Sequence, residues 1–196
     1  MKENFTSINV IIDRSGSMST LATDTIGGFN TFLTDQKGQP GEAVLTLCTF
    51  NTDYRLVHDF VRLTSVPNLD AKSYSPSGGT ALLDAMGATI TEVGKKLAAM
   101  NEDDRPSKVI VLVITDGQEN SSRKYTKQQV ADMVKHQQDT YNWEFMFFGA
   151  SLDQVADGVA LGISTQNSMN YSPTGVGVKS LYRSISDSTT TYRTSK

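Results

Sequence analysis

Cysteine is almost missing from this chain. Cys48 is the single one in 196 residues, which excludes an intramolecular disulfide framework. Its place inside the apolar stretch Ala43 to Phe50 marks it as a small buried side chain. Histidine is nearly as scarce, with only His58 and His136, so the nitrogen- and sulfur-rich ligand sets that zinc prefers are not expected. Charge of one sign is also lacking: 18 Lys and Arg stand against 21 Asp and Glu, a formal net charge of -3. The basic residues are scattered, which argues against nucleic acid as a partner. No stretch approaches the roughly 20 apolar residues that a membrane helix needs. The run after Met1 to Ser7 is too short for a signal-peptide core. A reducing, membrane-free setting, most simply the cytoplasm, is therefore expected.

What remains is ordinary globular composition, 38% hydrophobic and 20% charged, at a length typical of one domain. Short apolar runs alternate with helix-period segments, the pattern of an α/β fold with a mostly parallel sheet and helices on both faces. Strands are predicted at Asn9 to Asp13, Ala43 to Asn51, Tyr54 to Leu63, Ser107 to Asp116, Trp143 to Ala150 and, briefly, Met169 to Tyr171. Only Thr52 and Asp53 separate the second and third, so these two form an antiparallel hairpin and the third is an edge. The run Val109 to Ile114 reads as a central strand covered on both faces.

Helices are predicted from Leu21 to Leu33, from Leu83 to Met100, after a Thr126 cap, and from Val176 to Ile185. Gly27-Gly28 should cost the first of these about 1 kcal/mol each relative to alanine. Either the backbone approaches the sheet closely there or the helix is broken. A single domain over 1–185 is expected, with 186–196, rich in Ser and Thr, as a flexible tail.

The chemistry concentrates at three places. Asp13-Arg14-Ser15-Gly16-Ser17 follows the first strand, Gly78-Gly79-Thr80 supplies a hydroxyl on a glycine loop, and Thr115-Asp116-Gly117 follows the most apolar run. In an open α/β sheet, ligands bind beyond the carboxyl ends of the strands, where the winding order reverses. If the first and fourth strands are neighbours, all three loops meet there. Asp13, Ser15, Ser17, Thr80 and Asp116 would then offer two carboxylates and three hydroxyls. Hard oxygens of this kind suit Mg²⁺, with Mn²⁺ and Ca²⁺ as alternatives. Such a set leaves an octahedral ion short of at least one protein ligand, a position that an outside carboxylate can fill.

Asp-x-Ser-x-Ser after a first strand, Thr in a Gly-Gly-Thr loop and Thr-Asp-Gly after the fourth strand resemble the metal-ion-dependent adhesion site (MIDAS) of the von Willebrand factor A (VWA) domain family. All five positions match, from about Ser7 to about Tyr171. The resemblance implies a doubly wound, Rossmann-like sheet of order 3-2-1-4-5-6 with one antiparallel edge strand. It also implies that Ser15, Ser17 and Thr80 ligate the ion directly, that Asp13 and Asp116 do so directly or through water, and that a partner protein's Asp or Glu takes the open site. Stand-alone prokaryotic and phage-type members are similar in size, and several relatives work beside MoxR-type AAA+ ATPases.

Two other readings stand beside this non-enzymatic one. A metal-dependent hydrolase or phosphatase would use Asp13 as nucleophile, but position 15 is Ser rather than a second carboxylate, and neither histidine lies near the loops. A purely structural ion would be saturated by protein oxygens, which five donors do not achieve. Around the ligands, Arg14, Met18, Tyr74, Gln118, Glu119, Asn120, Arg123 and Tyr125 form a candidate partner-binding rim, ordinary loop surface being the alternative for each. Arg14 leads because its backbone is fixed between two ligands.

Overall fold

In the computed structural model, which describes residues 1–195, six strands form one sheet of order β3-β2-β1-β4-β5-β6. They are β1 (Lys2–Asp13), β2 (Glu42–Phe50), β3 (Tyr54–Arg62), β4 (Pro106–Thr115), β5 (Glu144–Gly149) and β6 (Ser168–Asn170). All pairings are parallel except β2 with β3, where the three-residue turn 51–53 sends the chain straight back. β1 pairs with β2 on one side and β4 on the other. The winding order therefore reverses between β1 and β4, and the ends of those two strands carry Asp13 and Thr115-Asp116.

Both sheet faces are covered. On one lie α1 (Ala22–Lys37) and α5 (Gly175–Thr194), with Phe29, Phe32, Leu33, Val178, Leu181 and Ile185 packed on Ile8, Val10 and Ile12. On the other lie α2 (Leu82–Ala99) and α3 (Lys127–Tyr141), whose Met86, Ile90, Val93, Val130 and Val134 pack on Ile11, Val111 and Val113. α4 (Leu152–Ala160) covers the same face at β5, where a Cβ on Gly158 would come within 2.7 Å of the Phe147 ring. Every residue from Val109 to Thr115 is buried, as a central parallel strand requires. Thr126 caps α3 in a reciprocal capping box with Gln129. No helix among the described residues is long and apolar enough to cross a membrane.

Three expectations need correction. α1 runs unbroken through Gly27 and Gly28, and the close approach is to α5 rather than to the sheet: a Cβ on Gly28 would lie 2.2 Å from Cδ2 of Tyr182. α4 is not among the predicted helices: Leu152, Val155 and Val159 recur there at spacings of three and four, but Leu152 and Val159 are exposed and the buried positions are Gln154 and Gly158. The segment 186–194 is helical, not a flexible tail, because its buried side is polar and finds polar partners. Arg193 Nη1 donates to the Gln36 carbonyl at 2.7 Å, and Gln36 Nε2 donates to the Ser186 carbonyl at 3.1 Å and to Thr190 Oγ1 at 3.0 Å. Lys196 lies outside the described residues.

Candidate metal centre

Main-chain and side-chain bonds lock the three loops together. The β1 loop binds the glycine loop through Gly16 N–H donating to the Gly78 carbonyl (3.0 Å) and Ser77 N–H donating to the Arg14 carbonyl (2.8 Å). The glycine loop binds the β4 loop through Asn120 and Ser121 N–H donating to the Thr80 carbonyl, at 3.0 and 3.2 Å, while Thr80 N–H donates to Asn120 Oδ1 at 2.9 Å. The β1 and β4 loops meet directly: Thr115 Oγ1 donates to Asp13 Oδ2 at 2.7 Å, and Ser17 Oγ donates to Asp116 Oδ1 at 2.6 Å.

These bonds bring the five oxygen-bearing residues into one volume. Ser15 Oγ lies 3.0 Å from Ser17 Oγ. A Cβ built on Gly117 would sit 2.5 Å from Thr80 Oγ1 and 3.4 Å from both Asp13 Oδ2 and Ser15 Oγ. Oxygens from the β1 loop and the glycine loop thus surround one point on the β4 loop, which stays open because residue 117 has no side chain. Ser17 spends its single hydroxyl hydrogen on the bond to Asp116, so its oxygen still has lone-pair capacity to face a cation. The donors fit a hard divalent ion. No three His, Cys, Asp or Glu side chains gather into a metal site among the described residues. Two carboxylates with three hydroxyls make a different, all-oxygen site.

Electrostatics agree with a cation-seeking cluster. Burial pushes the Asp13 carboxyl above its usual range, against hydrogen bonds from Thr115 and Ser15, and the charge of Asp116 adds to the rise. Burial also raises Asp116, opposed by the Ser17 hydroxyl. Two carboxylates that resist ionisation together are relieved by a positive ion between them.

The rim differs from its sequence reading. Met18 and Tyr74 are each only 1% exposed and belong to the core under α1, so neither can touch a partner. Tyr74 faces inward because its hydroxyl donates to the Asp13 carbonyl at 2.6 Å. Glu119 turns into the loop: its Oε1 accepts from Ser121 and Ser122 N–H, and its Oε2 accepts from Leu83 N–H in the first turn of α2. Asn120 is held on Thr80. The Tyr125 ring lies against α2, where a Cβ on Gly87 would come within 2.5 Å of it. Gln118 and Arg123 are exposed, and Arg14 is half-buried.

Three supports escaped the sequence reading. Asp84 accepts from Arg123, Lys124 and Tyr125 N–H at 2.8 to 2.9 Å and so fixes the far half of the β4 loop. Gln154 Nε2 donates to the Asp116 carbonyl at 2.8 Å. Thr115 orients Asp13. Only Thr115, adjacent to Asp116, stood within a recognisable motif.

No protein-family model and no curated protein matches the chain. Solved structures do. Proximal thread matrix protein 1 from the mussel byssus, with a zinc-occupied MIDAS motif, matches at TM-score 0.66 and 11% identity over 97% of this chain and 47% of that one. The vWF domain of the type V pili tip protein Mfa5 from Porphyromonas gingivalis matches at TM-score 0.65 and 9% identity, over 93% and 95% of the two chains. The manganese-loaded TRAP protein of Plasmodium vivax matches at TM-score 0.56 and 18% identity, over 84% and 65%. The chain spans a little under half the length of the mussel protein. Identities this low speak for architecture alone. Strand order, the single antiparallel edge and these neighbours together identify the fold as that of the von Willebrand factor A domain.

Proposed function

We propose that the chain is a non-enzymatic, divalent-metal-dependent protein-binding module. Asp13, Ser15, Ser17, Thr80 and Asp116 hold Mg²⁺, with Mn²⁺ or Ca²⁺ as alternatives, and an Asp or Glu of a partner protein completes the site. A MoxR-type AAA+ ATPase is one such partner to test. The observation that carries this reading is the meeting of Asp13, Ser15 and Thr80 oxygens around the open position at Gly117, with Ser17 bonded to both Ser15 and Asp116. A bound divalent ion supplies fixed positive charge with room for an outside carboxylate. The metal-occupied sites named for the mussel and Plasmodium proteins support a divalent cation here as well.

Asp13 is 0% exposed, and its two oxygens accept from Ser15 N–H and Thr115 Oγ1. Such a carboxylate is suited to hold a cation and not to attack a substrate, which favours binding over hydrolysis. Affinity recovery from the native host with Mg²⁺, with chelator, and with Asp13→Ala tests the reading. A partner is expected in the first condition only. Equal recovery in all three overturns it, and a large metal-induced rise in melting temperature with chelator-indifferent recovery would make the ion structural.

A further inference from the structure

Beside the metal loops stand two arginines that the fold brings together and leaves without counter-ions. Ile12 of β1 is in register with Thr49 of β2, and Thr49 with Arg55 of β3. The three lie abreast on one sheet face, with β1 and β3 separated by two strand spacings, about 10 Å. Arg14 follows two residues beyond Ile12. Its N–H donates to the Phe50 carbonyl at 2.7 Å and its carbonyl accepts from Ser77, so its backbone is pinned on both sides. Arg55 is exposed at the sheet edge.

Among the described residues neither Arg14 nor Arg55 forms an ion pair. Arg14 Nε is buried without a hydrogen-bond partner, and so is Thr49 Oγ1 in the row between the two arginines. Asp53, two residues before Arg55, forms no ion pair with either arginine, and one carboxylate against two guanidiniums leaves net positive charge. A planar guanidinium fork matches a carboxylate in a bidentate geometry.

We propose that Arg14 and Arg55 form a second anchor that takes a second carboxylate of the same partner, so that the recognised element is a pair of acidic residues. This rests on the metal-centred reading above and adds its specificity. Arg14 is the chain neighbour of Asp13, so a segment whose first acid meets the metal carries its next residues over the arginine pair. The anchor discriminates an acidic pair from an isolated Asp or Glu, which would satisfy the metal alone.

Fluorescence anisotropy with labelled, terminally blocked glycine peptides tests this. One peptide carries a single Asp, and others carry two Asp separated by one, two or three glycines. All are titrated against the Mn²⁺-loaded protein at low ionic strength, and Mn²⁺ affinity is measured separately. The best two-Asp peptide is expected to bind about ten-fold more tightly than the single-Asp peptide. Arg55→Ala is expected to erase that difference while leaving Mn²⁺ affinity and single-Asp binding unchanged. Arg55→Glu is expected to prefer a peptide with Lys in place of the second Asp. Equal binding of the one- and two-Asp peptides, or an advantage that survives Arg55→Ala, overturns the anchor and leaves the metal-centred reading standing. Failure of every peptide to bind in a Mn²⁺-dependent manner overturns both.

Discussion

The Tyr74 hydroxyl, buried beneath the metal loops, donates a 2.6 Å hydrogen bond to the main-chain carbonyl of Asp13. That bond ties an irregular segment between β3 and α2 to the residue on which the site turns. Tyr74→Phe keeps the ring and removes the donor, leaving a carbonyl inside the protein unpaired, at a cost of about 1–3 kcal/mol. We expect a lower melting temperature in calorimetry and weaker Mg²⁺ or Mn²⁺ binding in titration. Unchanged metal affinity would show that Tyr74 serves the core alone.

Gly117 keeps the middle of the site open. Gly117→Ala places a methyl 2.5 Å from Thr80 Oγ1, in the volume that a cation would share. The melting-temperature rise on adding Mn²⁺ should disappear, and the metal-free protein should lose stability through overpacking by about 1–3 kcal/mol. Retention of the Mn²⁺-induced rise would place the ion elsewhere.

Asp84 ties the β4 loop to the start of α2. Burial pushes its carboxyl up, but the N–H groups of Arg123, Tyr125 and Lys124 outweigh that and hold it below the usual carboxylate range. A depressed folded-state value means that the stabilisation is fully present above the unfolded value of 3.8 and is lost as pH falls through the folded one. Asp84→Asn should therefore cost about 2 kcal/mol near neutral pH. In denaturant titrations the gap to the native protein should narrow below about pH 4. A gap independent of pH would contradict the assignment.

Gly27 and Gly28 are neighbours in α1 with opposite surroundings. Nothing lies within 4 Å of a Cβ on Gly27, whereas one on Gly28 would meet Tyr182 at 2.2 Å. Gly27→Ala should raise stability by about 1 kcal/mol through helix propensity, and Gly28→Ala should lower it. Thermal melts of the two variants decide this, and a matching effect of both would refute the α1–α5 contact.

The contrast between those glycines also shows how far the sequence could be read. The sheet was legible because its strands are apolar, and the hairpin because so few residues, 51–53, separate β2 and β3. α4 and the last turns of α5 bury Gln154, Gly158, Ser186 and Arg193. In α4 the apolar residues Leu152 and Val159 face solvent, and the last turns of α5 are held by polar partners, so hydrophobic periodicity does not mark the buried face of either. At the centre, the five oxygen donors were legible as short motifs after strand ends. Tyr74 reads as rim in the sequence and its inward bond was not legible, nor was Asp84 at all, because each acts across more than 30 positions of sequence through bonds to main-chain groups. Glu119 was legible as an acid near the site, but no local signal says that it points inward to Leu83 N–H.

Because Ser17 already donates to Asp116 and Thr115 to Asp13, cation entry requires little rebuilding of the three loops. If the centre holds a cation as proposed, loading and unloading would follow the free ion concentration around the protein rather than a folding step. A partner recruited through such a centre would be captured or let go on the timescale of ion exchange.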